Sequence, residues 1–236
     1  MRNPPHTGDG RNPVLLVAHG SRDPRAAATT RALARTVAAV RPGLDVRVAF
    51  LELSPPRPAQ VLAVLPPGAV VVPLLLTRAY HGAVDLPSQV DGFGCAITDT
   101  LGEASPALLD ALTRRLPAVK FDALVLAAAG TRVASARSTV EKVASALGFH
   151  LGVPCHVAYA AGASPSGAEA VTALREQGAR RIAVASYFLA PGRLHDLVAN
   201  SALSAGAIAV AAPLGASWPL AELILTRVDA ALSVTL

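Results

Sequence analysis

The stretch Pro13-Val-Leu-Leu-Val-Ala-His-Gly-Ser-Arg22 decides the fold. Its first six residues, PVLLVA (13–18), form a continuous apolar run of strand length, and His-Gly-Ser-Arg then leads into an Ala-rich segment of helical length at 24–40. A short apolar strand passing through a glycine turn into a helix is the unit of a parallel sheet buried on both faces. The alternation continues, with strands predicted over 45–53, 69–76, 95–98, 123–128, 154–160, 181–189 and 207–211. Helices are predicted over 56–65, 82–91, 105–116, 133–148, 165–178, 193–203 and 217–233. The fold class is α/β, doubly wound.

The same stretch also recurs. Leu-Val-Ala-His-Gly-Ser-Arg (16–22) aligns with Leu-Ala-Ala-Ala-Gly-Thr-Arg (126–132) at an offset of 110, and Val-Ala-Phe (48–50) aligns with Val-Ala-Tyr (157–159) at 109. Leu-Leu-Leu-Thr-Arg-Ala-Tyr-His (74–81) lies over Phe-Leu-Ala-Pro-Gly-Arg-Leu-His (188–195) at 114. Three matches in order at nearly one offset indicate a duplicated lobe with its seam near Pro117 to Phe121. The expected organisation is a polar, Pro/Gly-rich leader at 1–12, an amino-terminal α/β lobe at 13–117 and a degenerate repeat at 118–236. Two such lobes face a central cleft lined by the loops after the carboxyl ends of the strands.

Composition narrows the function. The chain has 236 residues, a formal charge of +5 and only 4% aromatic residues, with its arginines scattered, which argues against a nucleic-acid reader. Cys95 and Cys155 lie 60 residues apart without CxxC spacing, so an iron–sulfur centre or a disulfide framework is not expected. The start has no apolar signal segment, which points to a cytoplasmic protein. The uncharged stretch from Leu197 to Ala221 raises the question of a membrane span, but Asn200, Gly206, Pro213, Gly215 and Pro219 interrupt it. There is no P-loop and no GxGxxG after a strand, so no nucleotide is implied.

The strand-end loops of the first lobe carry the candidate chemistry. His19-Gly20-Ser21-Arg22 follows the first strand, Glu52 ends the second, and Tyr80-His81-Gly82 follows the third. Two imidazoles and a carboxylate with open positions suit a borderline divalent ion such as Fe²⁺, Co²⁺, Ni²⁺ or Zn²⁺ better than Mg²⁺ or Ca²⁺. A lone histidine after a strand is most often a capping or packing residue, and Glu52 is equally read as an exposed strand-end carboxylate. Joint placement is what points to metal. Ser21 is expected to cap the helix starting near Pro24, since no GxSxG elbow surrounds it.

His-Gly-Ser-Arg after the first strand, Val-Ala-Phe-Leu-Glu at 48–52, and Pro-Leu-Leu-Leu-Thr-Arg-Ala-Tyr-His-Gly-Ala-Val-Asp-Leu-Pro at 73–87 together resemble the class II chelatases. These enzymes insert a metal into sirohydrochlorin, and the resemblance is to the two-lobed long form. It implies that His19 and His81 are the metal-binding and proton-accepting pair, with Glu52 as the acidic ligand of some members. The second lobe departs from the pattern, with Ala129 in place of His19 and Ala161 in place of Glu52, while His195 persists. One active site, on the first lobe, is therefore implied.

The implied activity is that of a lyase-type chelatase supplying siroheme or cobalamin biosynthesis, using Fe²⁺, Co²⁺ or Ni²⁺ and no other cofactor. Sirohydrochlorin is an octacarboxylate tetrapyrrole, and Arg22, Arg25, Arg78, Arg132 and Arg193 all fall at or just after predicted strand ends, placed to pair with it. Ser21, Tyr80 and His195 complete the candidate substrate contacts. A metal or tetrapyrrole carrier without turnover, and a ferrochelatase acting on a dicarboxylate porphyrin, are the alternatives.

Overall fold

The computed structural model describes residues 12–77 and 85–233, and the predicted strands and helices follow there in the predicted order, the first three residues of the helix predicted over 82–91 lying outside the described residues. The first half runs β1 (Val14–Ala18), α1 (Pro24–Val40), β2 (Val46–Phe50), α2 (Pro58–Leu62), β3 (Val70–Leu74), α3 (Leu86–Val90), β4 (Ala96–Ile97) and α4 (Pro106–Thr113). The second half runs β5 (Ala123–Ala128), α5 (Ala134–Leu151), β6 (Cys155–Tyr159), α6 (Gly167–Glu176), β7 (Ile182–Tyr187), α7 (Arg193–Ser204), β8 (Ala209–Val210) and α8 (Trp218–Ser233). Two parallel four-stranded sheets result, ordered β2-β1-β3-β4 and β6-β5-β7-β8. The central strands read as unbroken apolar runs because helices cover both faces.

Side-chain alternation along each central strand sorts the core into three parts. Val14 and Leu16 of β1 share one large cluster with Leu124, Leu126 and Ala128 of β5, whereas Leu15 and Val17 pack outward with residues of α2 and α3. Val125 and Ala127 pack outward with residues of α6 and α7. Each fully buried leucine in these clusters contributes about 1.5–3 kcal/mol. The two lobes thus share their largest core.

The sequence seam is not a packing seam. Helix α8, last in the chain, packs on α1 and β3 of the first lobe as well as on α4, while α4 contacts α5 and β7 of the second. Polar ties follow the same exchange: Arg41 holds Asp229 through bonds of 2.6 and 2.7 Å, and Arg227 pairs with Glu103 at 3.0 Å. The buried Tyr187 hydroxyl reaches the carbonyls of Leu76 and Gly102, both at 2.7 Å, pinning β7 to the first lobe.

Sheet register corrects one sequence match by a residue. Ala18 lies opposite Phe50 and Leu74, and Ala128 lies opposite Tyr159 and Tyr187, so the third strands correspond at 113 (Leu74 to Tyr187) rather than 114. The run Leu74-Leu75-Leu76 makes neighbouring alignments equivalent in sequence, whereas ladder hydrogen bonds admit only one register. A second correction concerns α5, which continues through Gly148 to Leu151 and ends on Gly152 in the left-handed region. Gly148 is a packing glycine: a Cβ there would stand 2.9 Å from Cys155 Cβ and from Val153 O. No helix among the described residues is long and apolar enough to cross a membrane.

Candidate active site

The carboxyl ends of β1 and β2 are adjacent parallel strand ends, so their loops leave the sheet side by side. Glu52 N donates to His19 O at 2.9 Å, fixing the two backbones together. Gly20, at φ 96°, makes that approach possible, because a Cβ there would lie 1.7 Å from Glu52 O. The side chains converge as a result: His19 Nε2 stands 3.3 Å from Glu52 Oε1, both half-exposed. His19 Nδ1 lies 3.1 Å from Gly20 O, so one ring nitrogen meets a backbone carbonyl while the other faces the Glu52 carboxylate. An imidazole nitrogen and a carboxylate oxygen held this close can share a proton or serve together as ligands.

His81, the third candidate ligand, lies outside the described residues, as do Arg78 and Tyr80. Among the described residues no group of three or more His, Cys, Asp or Glu could hold a metal ion, so His19 and Glu52 stand there as a pair.

Beside this pair opens a cavity of about 580 Å³ between the lobes. His19, Gly20, Ser21 and Thr77 line it from the first lobe, and Thr131, Tyr159, Phe188, Arg193 and His195 from the second. Tyr159 is only 3% exposed and its hydroxyl has no hydrogen-bond partner among the described residues. Burial pushes its phenol upward, and the charge of Glu141 adds to that.

The other candidates separate. Arg193, the first residue of α7, is exposed and lines the cavity. Arg22 and Arg132 are exposed but not among the lining residues. Arg25 joins the lobes: its guanidinium grips Asp23 (2.7–3.1 Å) and reaches Asp196 at 2.8 Å, and it is not among the residues that line the cavity. Side-chain bonds from Arg25 hold both carboxyls below the usual aspartate range, and His195 adds to this at Asp196. The expectation that Ser21 caps α1 is corrected. Its hydroxyl accepts from Asp23 N at 3.0 Å, and Asp23, accepting from Arg25 N, is the residue that caps α1. Thr131 does the same for Val133 N at 3.1 Å in the other lobe, so this hydroxyl belongs to the turn.

His195 is committed within the second lobe. Nε2 is 3.1 Å from Ser186 Oγ, Nδ1 is 3.1 Å from Asp196 Oδ1, and the ring stands edge-on to Phe188. The Ser–His–Asp sequence of contacts is not a nucleophile: Ser186 is 2% exposed and donates to Ala211 O at 2.6 Å. Asp196, Tyr159 and Tyr187 were not singled out by the sequence reading. The adjacent His195-Asp196 in a first helical turn was a visible signal for Asp196; nothing local marked the tyrosines.

The family model described as CbiX matches residues 13–121 and again 123–231. No curated protein matches the chain in sequence. Among solved structures, SirB from Bacillus subtilis with Fe³⁺ is similar at a TM-score of 0.79 and 19% identity, covering 93% of this chain and 94% of that one. SirB from Bacillus subtilis subspecies spizizenii in complex with cobalt gives 0.78 and 18%, with the same coverage. CbiX, described as the terminal enzyme for biosynthesis of siroheme in denitrifying bacteria, gives 0.67 and 20%, over 94% of this chain and 99% of that chain.

Proposed function

The chain belongs to the CbiX family, and from that premise we propose that it is a chelatase inserting Fe²⁺ or Co²⁺ into sirohydrochlorin. The observation that carries this reading is the His19–Glu52 pair, 3.3 Å apart and beside a cavity lined by both lobes. Insertion breaks two pyrrole N–H bonds and forms metal–nitrogen bonds in their place, so the site must hold a partly dehydrated ion and take up protons. His19 Nε2 and Glu52 serve both needs, and His81 on the adjoining segment is the second imidazole.

The metal is substrate, and no other cofactor or iron–sulfur cluster takes part. The lobe at 13–117 carries the chemistry, and the repeat at 118–236 supplies the opposite wall. Arg193 meets a carboxylate of the tetrapyrrole at the cavity, Arg22 and Arg132 act farther out, and Arg78 and Tyr80 are further substrate contacts. The product enters siroheme or cobalamin synthesis in the cytoplasm.

Optical spectroscopy of metal-free sirohydrochlorin with catalytic amounts of protein and Fe²⁺, Co²⁺ or Ni²⁺ tests the reading. Many turnovers per protein molecule are expected. A spectral change that stops at one equivalent indicates a carrier, and equal turnover of a dicarboxylate porphyrin indicates a different substrate class.

A further inference from the structure

After β2 the chain places a leucine at a backbone position where its repeat mate is a glycine. Leu53 has φ 60° and Gly162 has φ 71°. Flanking hydrogen bonds fix the correspondence: Phe50 N donates to Pro56 O at 2.9 Å as Tyr159 N does to Pro165 O at 2.8 Å. Likewise Glu52 N donates to His19 O as Ala161 N donates to Ala129 O. Glycine takes the left-handed region freely, whereas a bulky side chain there is an outlier. Leu53 is the only non-glycine residue with positive φ among the described residues.

Core packing does not explain the leucine, which remains 49% exposed. The turn does not require it either, since Gly162 builds the same turn with none. Its neighbours place it beside residues of the cavity wall. Glu52 stands against His19, and Ser54 Oγ donates to Ser21 O at 3.0 Å, with His19 and Ser21 both lining the wall. In the second lobe a Cβ on Gly162 would lie 3.8 Å from Thr131, the mate of Ser21 and itself a lining residue.

We infer that Leu53 is a substrate-contact residue, whose side chain covers the apolar face of the tetrapyrrole at the rim of the His19–Glu52 site. The inference rests on the chelatase reading above. Cations such as Arg193 answer the peripheral carboxylates, but the macrocycle face needs an apolar partner. A half-exposed leucine held in a left-handed turn supplies one that becomes buried only when substrate binds.

Leu53→Gly and Leu53→Met test this by thermal midpoint, by fluorescence titration with metal-free sirohydrochlorin, and by steady-state insertion of Co²⁺. Leu53→Gly is expected to melt no lower than the parent, to raise Kd and KM for sirohydrochlorin about tenfold, and to leave kcat within about twofold. Leu53→Met is expected to stay within about threefold of the parent in both. An unchanged Kd with a lowered melting temperature makes Leu53 a packing residue and overturns the inference alone. A parent protein that neither binds nor metallates sirohydrochlorin overturns the chelatase reading and takes this inference with it.

Discussion

The loops after β1 and β5 repeat one another's backbone and share almost none of their chemistry. Glu52 N donates to His19 O where Ala161 N donates to Ala129 O, and a Cβ on Gly20 or Gly130 would strike the same facing carbonyl, at 1.7 and 1.9 Å. Ser21 and Thr131 accept from the same turn amide. What differs is His19 against Ala129, Glu52 against Ala161 and Leu53 against Gly162. The glycine and the hydroxyl therefore serve the turn in both lobes. The imidazole, the carboxylate and the strained leucine occur in one lobe only, so the fold does not require them.

The comparison breaks most decisively at His19. His19→Ala is expected to lower insertion at least 100-fold with little change in thermal midpoint, because the side chain is half-exposed and fills no core volume. Ala129→Ser, at the matching position, should stay within about twofold of the parent, since it adds only a hydroxyl beside Ala161, where there is no imidazole–carboxylate pair to disturb. Steady-state assays of both variants check this; comparable losses would mean that both lobes carry chemistry.

Gly20→Ala and Gly130→Ala probe the shared scaffold. Each should destabilise by about 2–4 kcal/mol in chemical denaturation, from positive φ and the carbonyl clash together. Only Gly20→Ala should also lose insertion, because it displaces Glu52 from His19. A neutral Gly130→Ala would show that the two turns are not equivalent.

Tyr159 and Phe50 occupy matching strand ends, and the tyrosine buries a hydroxyl that has no partner among the described residues. Tyr159→Phe makes the lobes alike and is expected to raise stability by about 1 kcal/mol, a rise of roughly 2–4 °C in Tm by calorimetry. Tyr187→Phe should do the reverse by about 1–2 kcal/mol, since it strips the donor from the carbonyls of Leu76 and Gly102.

The smallest effect is expected where Arg25 joins Asp23 of the first lobe to Asp196 of the second. Both carboxyls titrate lower in the folded protein than in the unfolded chain. Their contribution is therefore present above the ordinary aspartate value of about 4 and is lost as pH falls through the lower folded value. Thermal melts from pH 5 to pH 2 should show this loss in the parent and a shallower slope in Arg25→Met. All three groups are exposed to solvent screening, so the difference will be small.

Much of the architecture was legible because its signals are local. PVLLVA and ALVLAA are apolar runs bounded by turn residues, and both became central strands at their predicted positions. The Pro24 boundary and the 24–40 helix were equally clear. Of the candidate site, His19 and Glu52 were legible as strand-end residues, and they do meet. That Arg25 pairs with two carboxylates, and that Asp23 rather than Ser21 caps α1, was not legible, because those partners are set by how the lobes approach and by the geometry of the turn.

The sequence alone determined the order of elements, the duplication and the replacement of His19 and Glu52 by Ala129 and Ala161 in the second lobe. These follow from periodicity and from the identity of residues at fixed offsets. Only the tertiary structure decided which helix covers which sheet, that α8 closes on the first lobe, that Arg25 and Tyr187 tie the lobes together, and that Leu53 stands in a left-handed turn, half-exposed, next to the His19–Glu52 pair. Those properties depend on distances between residues far apart in the chain and on backbone angles that no single residue type dictates, so they exist only once the two repeats have packed together.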